Sequence, residues 1–166
     1  MGCVRHFDYK ADLNCGSLSP DRRSRILFMK ASLMDKGRYY RGLLVLVGRD
    51  RIIDPKERAL MLQFGKMLDF DERFCEAAIT DLLGNRYISS EPILFDKQLI
   101  AKCFLRDALK LALIDKELHV NELSWLKAVA QTNNIADEWL DIELQGLKKI
   151  RITEVQPDSF EISQFI

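Results

Sequence analysis

The stretch Tyr40-Arg41-Gly42-Leu43-Leu44-Val45-Leu46-Val47-Gly48-Arg49-Asp50 decides the fold. It returns 65 residues later, without a gap, as Leu105-Arg106-Asp107-Ala108-Leu109-Lys110-Leu111-Ala112-Leu113-Ile114-Asp115. Downstream, Glu57, Leu60 and Phe64 reappear as Glu122, Trp125 and Val129, and Phe70 and Phe74 as Ile135 and Trp139. Leu82, Arg86, Pro92 and Phe95 reappear as Leu147, Arg151, Pro157 and Phe160. What recurs is apolar spacing with a few charged positions, so each copy is expected to be a helical unit that needs the other to bury its apolar face. The expectation is an all-α bundle of about seven to eight helices. Its repeat units cover about 36–95 and 101–160, packed through their apolar helices around a local twofold relation. Tyr40, Leu44, Val47, Leu60, Phe64, Phe74, Leu105, Leu109, Ala112, Trp125, Val129 and Trp139 should form the core.

A chain of 166 residues, 48% hydrophobic and 30% charged, suits one well-buried core better than two. Residues 20–166 read as a single domain, and residues 1–19, polar and aperiodic, as a loosely ordered arm. The formal net charge is zero, which removes the usual electrostatic argument for a nucleic-acid partner. Residues 1–50 carry ten Lys/Arg against five Asp/Glu, a mildly basic part meeting a mildly acidic body. There is no secretory-type apolar run at the N-terminus and no segment approaching the roughly 18 apolar residues of a membrane span. A cytoplasmic protein is expected. Gly2 suggests myristoylation, but His6 stands where that motif requires Ser or Thr. Cys75 and Cys103 fall inside helical patterns and read as small buried hydrophobes, while Cys3, His6 and Cys15 match no standard zinc spacing.

Ser19-Pro20-Asp21 opens a first helix carrying Ile26, Leu27, Met29, Leu33 and Met34 on one side and Arg22, Arg23, Arg25 and Lys30 on the other. That basic run reads as a solvated face, with peripheral contact to anionic lipid as the sharper alternative. A nearly all-apolar helix over Lys36 to Gly48 comes next. Asp54-Pro55-Lys56-Glu57 then gives a strong helix start, with an N-cap, Pro at the first helical position and Glu three residues past the cap. Asp71 caps a further helix to about Gly84, with Phe70 as its hydrophobic staple. The second unit repeats this as helices from about Phe95 to Leu113, Val120 to Thr132 and Asp137 to Lys148. Ile150, Ile152 and Val155 alternate in an extended tail, which meets Pro157 and a short helix.

Chemistry, if present, rests on the recurring acids: Asp50, Asp54 and Glu57 in the first unit, Asp115, Glu117 and Glu122 in the second. One acid lies just past a helix end and another in the first turn of the next helix. Such acids offset the helix dipole and satisfy orphan N–H groups. Several carboxylates on one turn also suit a hard cation, calcium or magnesium. An EF-hand is excluded, since Val120 and Leu126 occupy the sixth and twelfth positions counted from Asp115. No cofactor is expected beyond that possible cation.

Asp50, Ile53, Glu57, Leu60 and Phe64, with Asp115, Leu118, Glu122, Trp125 and Val129 as a second set, resemble the tellurite-resistance TerB-like helical domains over about Arg38 to Leu147. The resemblance implies an all-helical cytosolic domain, implicated in stress responses and membrane-associated assemblies and related to part of a DnaJ-like co-chaperone. It also implies acidic positions proposed to chelate metal. Where that family commonly has Gly after the loop Asp, this chain has Arg51 and Lys116, cations beside the would-be ligands.

The enzyme reading finds only His6 and His119 as histidines, no Gly-rich phosphate loop and no nucleophile in a recognisable setting. His119 occupies the cap position equivalent to Asp54, and Trp125 and Trp139 fall on apolar faces. The expectation is a non-enzymatic interaction or regulatory module with a protein partner. A cation-binding domain and a small enzyme with an unrecognised site are the alternatives, and the oligomeric state is open.

Overall fold

Ser32 starts the first helix. Its backbone is extended and its hydroxyl accepts a hydrogen bond from the Asp35 N–H at 3.0 Å, satisfying one of the donors a helix start leaves unpaired. The computed structural model describes residues 30–48, 53, 55–84, 89, 91–113, 118–149 and 159–166. Among them are six α-helices, one 3-10 helix and no strand: α1 (Leu33–Val47), α2 (Pro55–Met67), α3 (Glu72–Gly84), α4 (Gln98–Ala112), α5 (Val120–Thr132), α6 (Asp137–Lys149) and a 3-10 strap (Glu161–Phe165). The bounds of α4, α5 and α6 each lie 65 residues beyond those of α1, α2 and α3.

Two stops coincide as well. Asp69 and Asn134, the non-glycine residues with positive φ among the described residues, sit at 65° and 55° just past α2 and α5. In each case the next amide reaches back to the helix: Phe70 N–H to Gly65 C=O and Ile135 N–H to Ala130 C=O, both at 2.9 Å. The residue between bonds back too, Asp69 to Lys66 and Asn134 to Gln131. This is a Schellman stop, which a left-handed residue permits and which satisfies the last carbonyls.

The two apolar helices pack on each other. Helices α2 and α3 pack on α1 and on each other, and α5 and α6 do the same with α4; the strap lies along α4. The buried core includes Tyr39, Tyr40, Leu43, Phe64, Phe104, Leu105, Leu109, Trp125, Leu126 and Val129. Of the expected core, Tyr40, Leu44, Val47, Phe64, Leu105, Leu109, Trp125 and Val129 are buried, and Leu60, Ala112 and Trp139 are partly buried against it.

Phe74 departs from expectation: it is 53% exposed. The cause lies in what covers its counterpart. The Trp139 ring is sheltered by Lys102 and Arg106, whose charges lie 5.4 and 5.3 Å from its centre. The corresponding positions on α1 are Gly37, beside which a Cβ would meet nothing within 4 Å, and Arg41, which donates to the Ser89 carbonyl at 3.1 Å instead. Phe74 therefore keeps only its inner contacts, with Phe70 at 5.3 Å and Tyr40 at 6.4 Å between ring centres.

Two boundaries also shift. Helix α1 begins at Leu33, so Leu33 and Met34 belong to its first turn and not to an earlier helix. Helix α4 begins at Gln98 and not near Phe95. The residues before it stay extended because their amides have other partners: Phe95 N–H donates to the Asn133 side chain at 2.9 Å and Asp96 N–H to Asp35 at 3.0 Å. The arm, the Ser19-Pro20-Asp21 start, the Ile150 to Pro157 tail, and Cys3, His6 and Cys15 lie outside the described residues.

Candidate functional site

Of the six recurring acids, Glu57 and Glu122 are described; Asp50, Asp54, Asp115 and Glu117 lie outside the described residues. Glu122 works as a cap. Its Oε2 accepts the His119 N–H at 3.0 Å, while the His119 carbonyl accepts the N–H groups of Glu122 and Leu123 at 3.0 and 3.1 Å. Glu57 holds the same place in the first turn of α2, which Pro55 opens, and is half-buried. Pro at the first helical position costs nothing there, because its missing N–H would have been unpaired. Asp71 caps α3 through the Arg73 N–H at 2.9 Å. His119 is exposed. Among the described residues no group of three His, Cys, Asp or Glu side chains is placed to hold a metal ion.

The most unusual polar chemistry lies elsewhere, on α4. Asp107 is fully buried. Its carboxylate accepts from the Tyr39 hydroxyl at 2.5 Å, from the Glu161 N–H at 2.8 Å and from the Ile162 N–H at 3.1 Å, with Lys110 Nζ at 3.4 Å. Burial pushes the Asp107 carboxyl up from its usual range, against the opposing pull of these donors. Burial likewise raises the Tyr39 phenol well above its ordinary value, and Asp107 adds to that. The Cys103 thiol, one turn earlier on α4, is pushed up to about 12, chiefly by burial and then by Asp107, so it stays protonated at neutral pH. Cys75 is also buried and unpaired with another cysteine, as its helical spacing implied. The Tyr40 hydroxyl beside it is buried without a hydrogen-bond partner of ordinary geometry.

Sequence reasoning passed over Asp107. The signal was there: it places a carboxylate among Phe104, Leu105, Ala108 and Leu111 on a buried face, where the first unit has Gly42. A Cβ at Gly42 would come within 2.6 Å of the Phe104 ring and 2.7 Å of the Ile93 side chain, so any side chain there forces both to shift.

Two further buried polar side chains tie extended chain to the helices. Asn133, at the end of α5, donates to the Ile93 and Val129 carbonyls at 2.6 and 2.8 Å and accepts from Phe95 N–H. Asp35 on α1 accepts from Asp96 N–H through Oδ1, with Arg38 at 3.5 Å, and leaves Oδ2 unpartnered. Large apolar side chains meanwhile stand in solvent at the first turns of α1 and α3, with Leu33 77%, Met34 62% and Phe74 53% exposed. No helix among the described residues is long and apolar enough to cross a membrane.

Comparison with models of known protein families, with curated proteins and with solved structures finds no match to this chain.

Proposed function

We propose that this chain is a non-enzymatic, cytoplasmic interaction or regulatory module, of the TerB-like helical kind that its acid and apolar spacing resembles, with a protein as its partner. On this reading the chain is a duplication of one three-helix unit, which accounts for the shared helix lengths and for the paired stops at Asp69 and Asn134. The observation that carries the functional part is the exposure of Leu33, Met34 and Phe74 at the starts of α1 and α3, two helices that pack together. Exposed apolar side chains on two helices that pack together, with Leu94, Val120 and Ile142 exposed elsewhere, favour protein contact over small-molecule chemistry. The buried polar groups support the same reading from the other side, because Asp107 and Asn133 are spent on holding the chain's own backbone.

The experiment is affinity capture with the full chain, wild type against Leu33→Ser/Phe74→Ser. Partners recovered by the wild type and lost with the variant, at unchanged helical content, support the module. A partner set indifferent to both substitutions would overturn the assignment of this face.

A further inference from the structure

The strap and the two residues before it are held largely through their main chain, as the segment before α4 is held by Asn133 and Asp35. Phe160, Ile162 and Phe165 are buried, and Phe160 packs its ring 4.3 Å from that of Phe64 on α2, with Lys110 Nζ 6.0 Å from its centre. The N–H groups of Glu161 and Ile162 go to Asp107, and the Glu161 carboxylate lies 3.5 Å from Lys110 Nζ. Two more hydrogen bonds use main-chain groups of this segment. Lys110 Nζ donates to the Ser159 carbonyl at 3.0 Å, and the Ala31 N–H donates to the Phe165 carbonyl at 2.8 Å. A carboxylate and an ammonium one turn apart on α4 thus meet backbone donors and a backbone acceptor, the ammonium also facing the Glu161 carboxylate, while three apolar positions fill sockets. Peptide-binding grooves divide affinity and specificity in this manner. The helix pairings that build the body, α1 with α2, α3 and α4, and α4 with α5 and α6, do not pass through the strap, whose main contact is α4.

We propose that the channel between α2 and α4 is a peptide-docking site that the strap fills from within its own chain, and that it accepts a partner-protein segment with the pattern aromatic-x-aliphatic-x-x-aromatic. The strap is then an intramolecular competitor. A partner segment enters when the strap leaves, replacing Phe160, Ile162 and Phe165 with its own apolar anchors and presenting two main-chain N–H groups to Asp107. This rests on the interaction-module reading and names the partner's chemistry. It places binding in a different part of the molecule from the exposed face of α1 and α3.

The test uses the full chain and a fluorescein-labelled peptide of residues 159–166. In Phe160→Ala/Ile162→Asp the strap no longer competes, so the peptide should bind at least about tenfold more tightly than to wild type, where only the strap-released fraction is competent. The same peptide carrying both substitutions should not bind. Hydrogen exchange on the wild type supplies the second arm, which needs no variant: the Glu161 and Ile162 amides should exchange faster than those of Leu105 and Leu109. Equal, weak binding of the peptide to both chains would overturn the proposal, as would strap amides exchanging in step with α4. If that happens while the Leu33→Ser/Phe74→Ser chain still loses its captured partners, the module reading stands and the docking channel falls.

Discussion

Asp69 and Asn134 occupy the same backbone state 65 residues apart, each a non-glycine residue in the left-handed region that ends the helix before it. A side chain in that region costs roughly 1–2 kcal/mol in general, less for Asn and Asp, and Gly removes the cost. Asn134 is exposed. Asn134→Gly should therefore raise stability by about 0.5 kcal/mol and Asn134→Val should lower it by about 1–2 kcal/mol, read from urea unfolding midpoints. Asp69→Gly is a poorer probe, because Asp69 also pairs with Lys36 at 2.6 Å. Equal midpoints for the Gly and Val variants would show that the stop is not set by residue 134.

Gly65 makes a sharper case for packing. A Cβ at this position would lie 2.1 Å from the Cys75 Sγ, so α2 and α3 approach each other through the missing side chain. Gly65→Ala gains roughly 1 kcal/mol of helix propensity and loses about 1–3 kcal/mol to overpacking. The expected net result is destabilisation, largely relieved in Gly65→Ala/Cys75→Ala. The Cys75 Cβ at 3.3 Å leaves a small residual strain. Additive effects of the two substitutions in a double-mutant cycle would refute the contact as the cause.

Asn133 binds the segment before α4 through both its amide oxygen and its amide nitrogen, the nitrogen also donating to the Val129 carbonyl, whereas the equivalent position after α2 is the buried Leu68. Asn133→Leu keeps the volume and apolar burial but strands the Phe95 N–H and Ile93 C=O. A buried unsatisfied group costs about 1–3 kcal/mol, so a loss of about 3 kcal/mol is expected from the pair. Thermal unfolding would measure it, and a change below 1 kcal/mol on the same scale would mean the segment finds other partners.

Much of this was legible in the chain. The apolar run from Tyr40 and its return at Leu105 mark the two central helices, and Pro55 and Asp71 mark true helix starts. Phe74 was misread because spacing alone assigns it the face of Trp139. Its exposure depends on Gly37 standing where Lys102 stands in the second unit, a neighbour on another helix. Asp107 was missed for a related reason. Its partners are Tyr39 and two amides 54 and 55 residues further on, and no local pattern announces a contact between a side chain and a distant backbone. A charge in the middle of a buried stripe was the one sign available.

Asp107 should also leave a mark on the pH dependence of stability. Its folded-state value is raised by burial, so across the window from the ordinary value of about 3.9 up to that raised value the native state binds more protons than the unfolded chain. This group's contribution is fully present below the window and is lost as pH rises through it. Tyr39, Cys103, Lys110 and Glu161 surround it and are the same in Asp107→Asn. Wild type should therefore gain stability relative to Asp107→Asn as pH falls through the window, in urea midpoints taken from pH 7 downward. A difference that is flat, or that shrinks towards acid, would contradict the raised value.

The recurring acids can be tested apart from everything else, because capping and cation binding forecast different responses. Glu122 already has a structural task, accepting the His119 N–H, and a lost cap interaction of this type costs about 0.5–2 kcal/mol. Glu122→Gln keeps an acceptor oxygen but loses the charge that favours a helix start, worth about 0.3–1 kcal/mol, so a small drop in melting temperature is expected. If Asp50, Asp54 and Glu57, or Asp115, Glu117 and Glu122, instead held calcium or magnesium, a hundredfold excess of metal over its dissociation constant would stabilise the fold by about 2.7 kcal/mol. Arg51 and Lys116 place positive charge next to both sets. The expected outcome is a melting temperature unchanged by either metal in wild type, Asp50→Asn and Asp115→Asn alike. A metal-dependent rise abolished by one of those substitutions would establish a cation site and identify the unit that holds it.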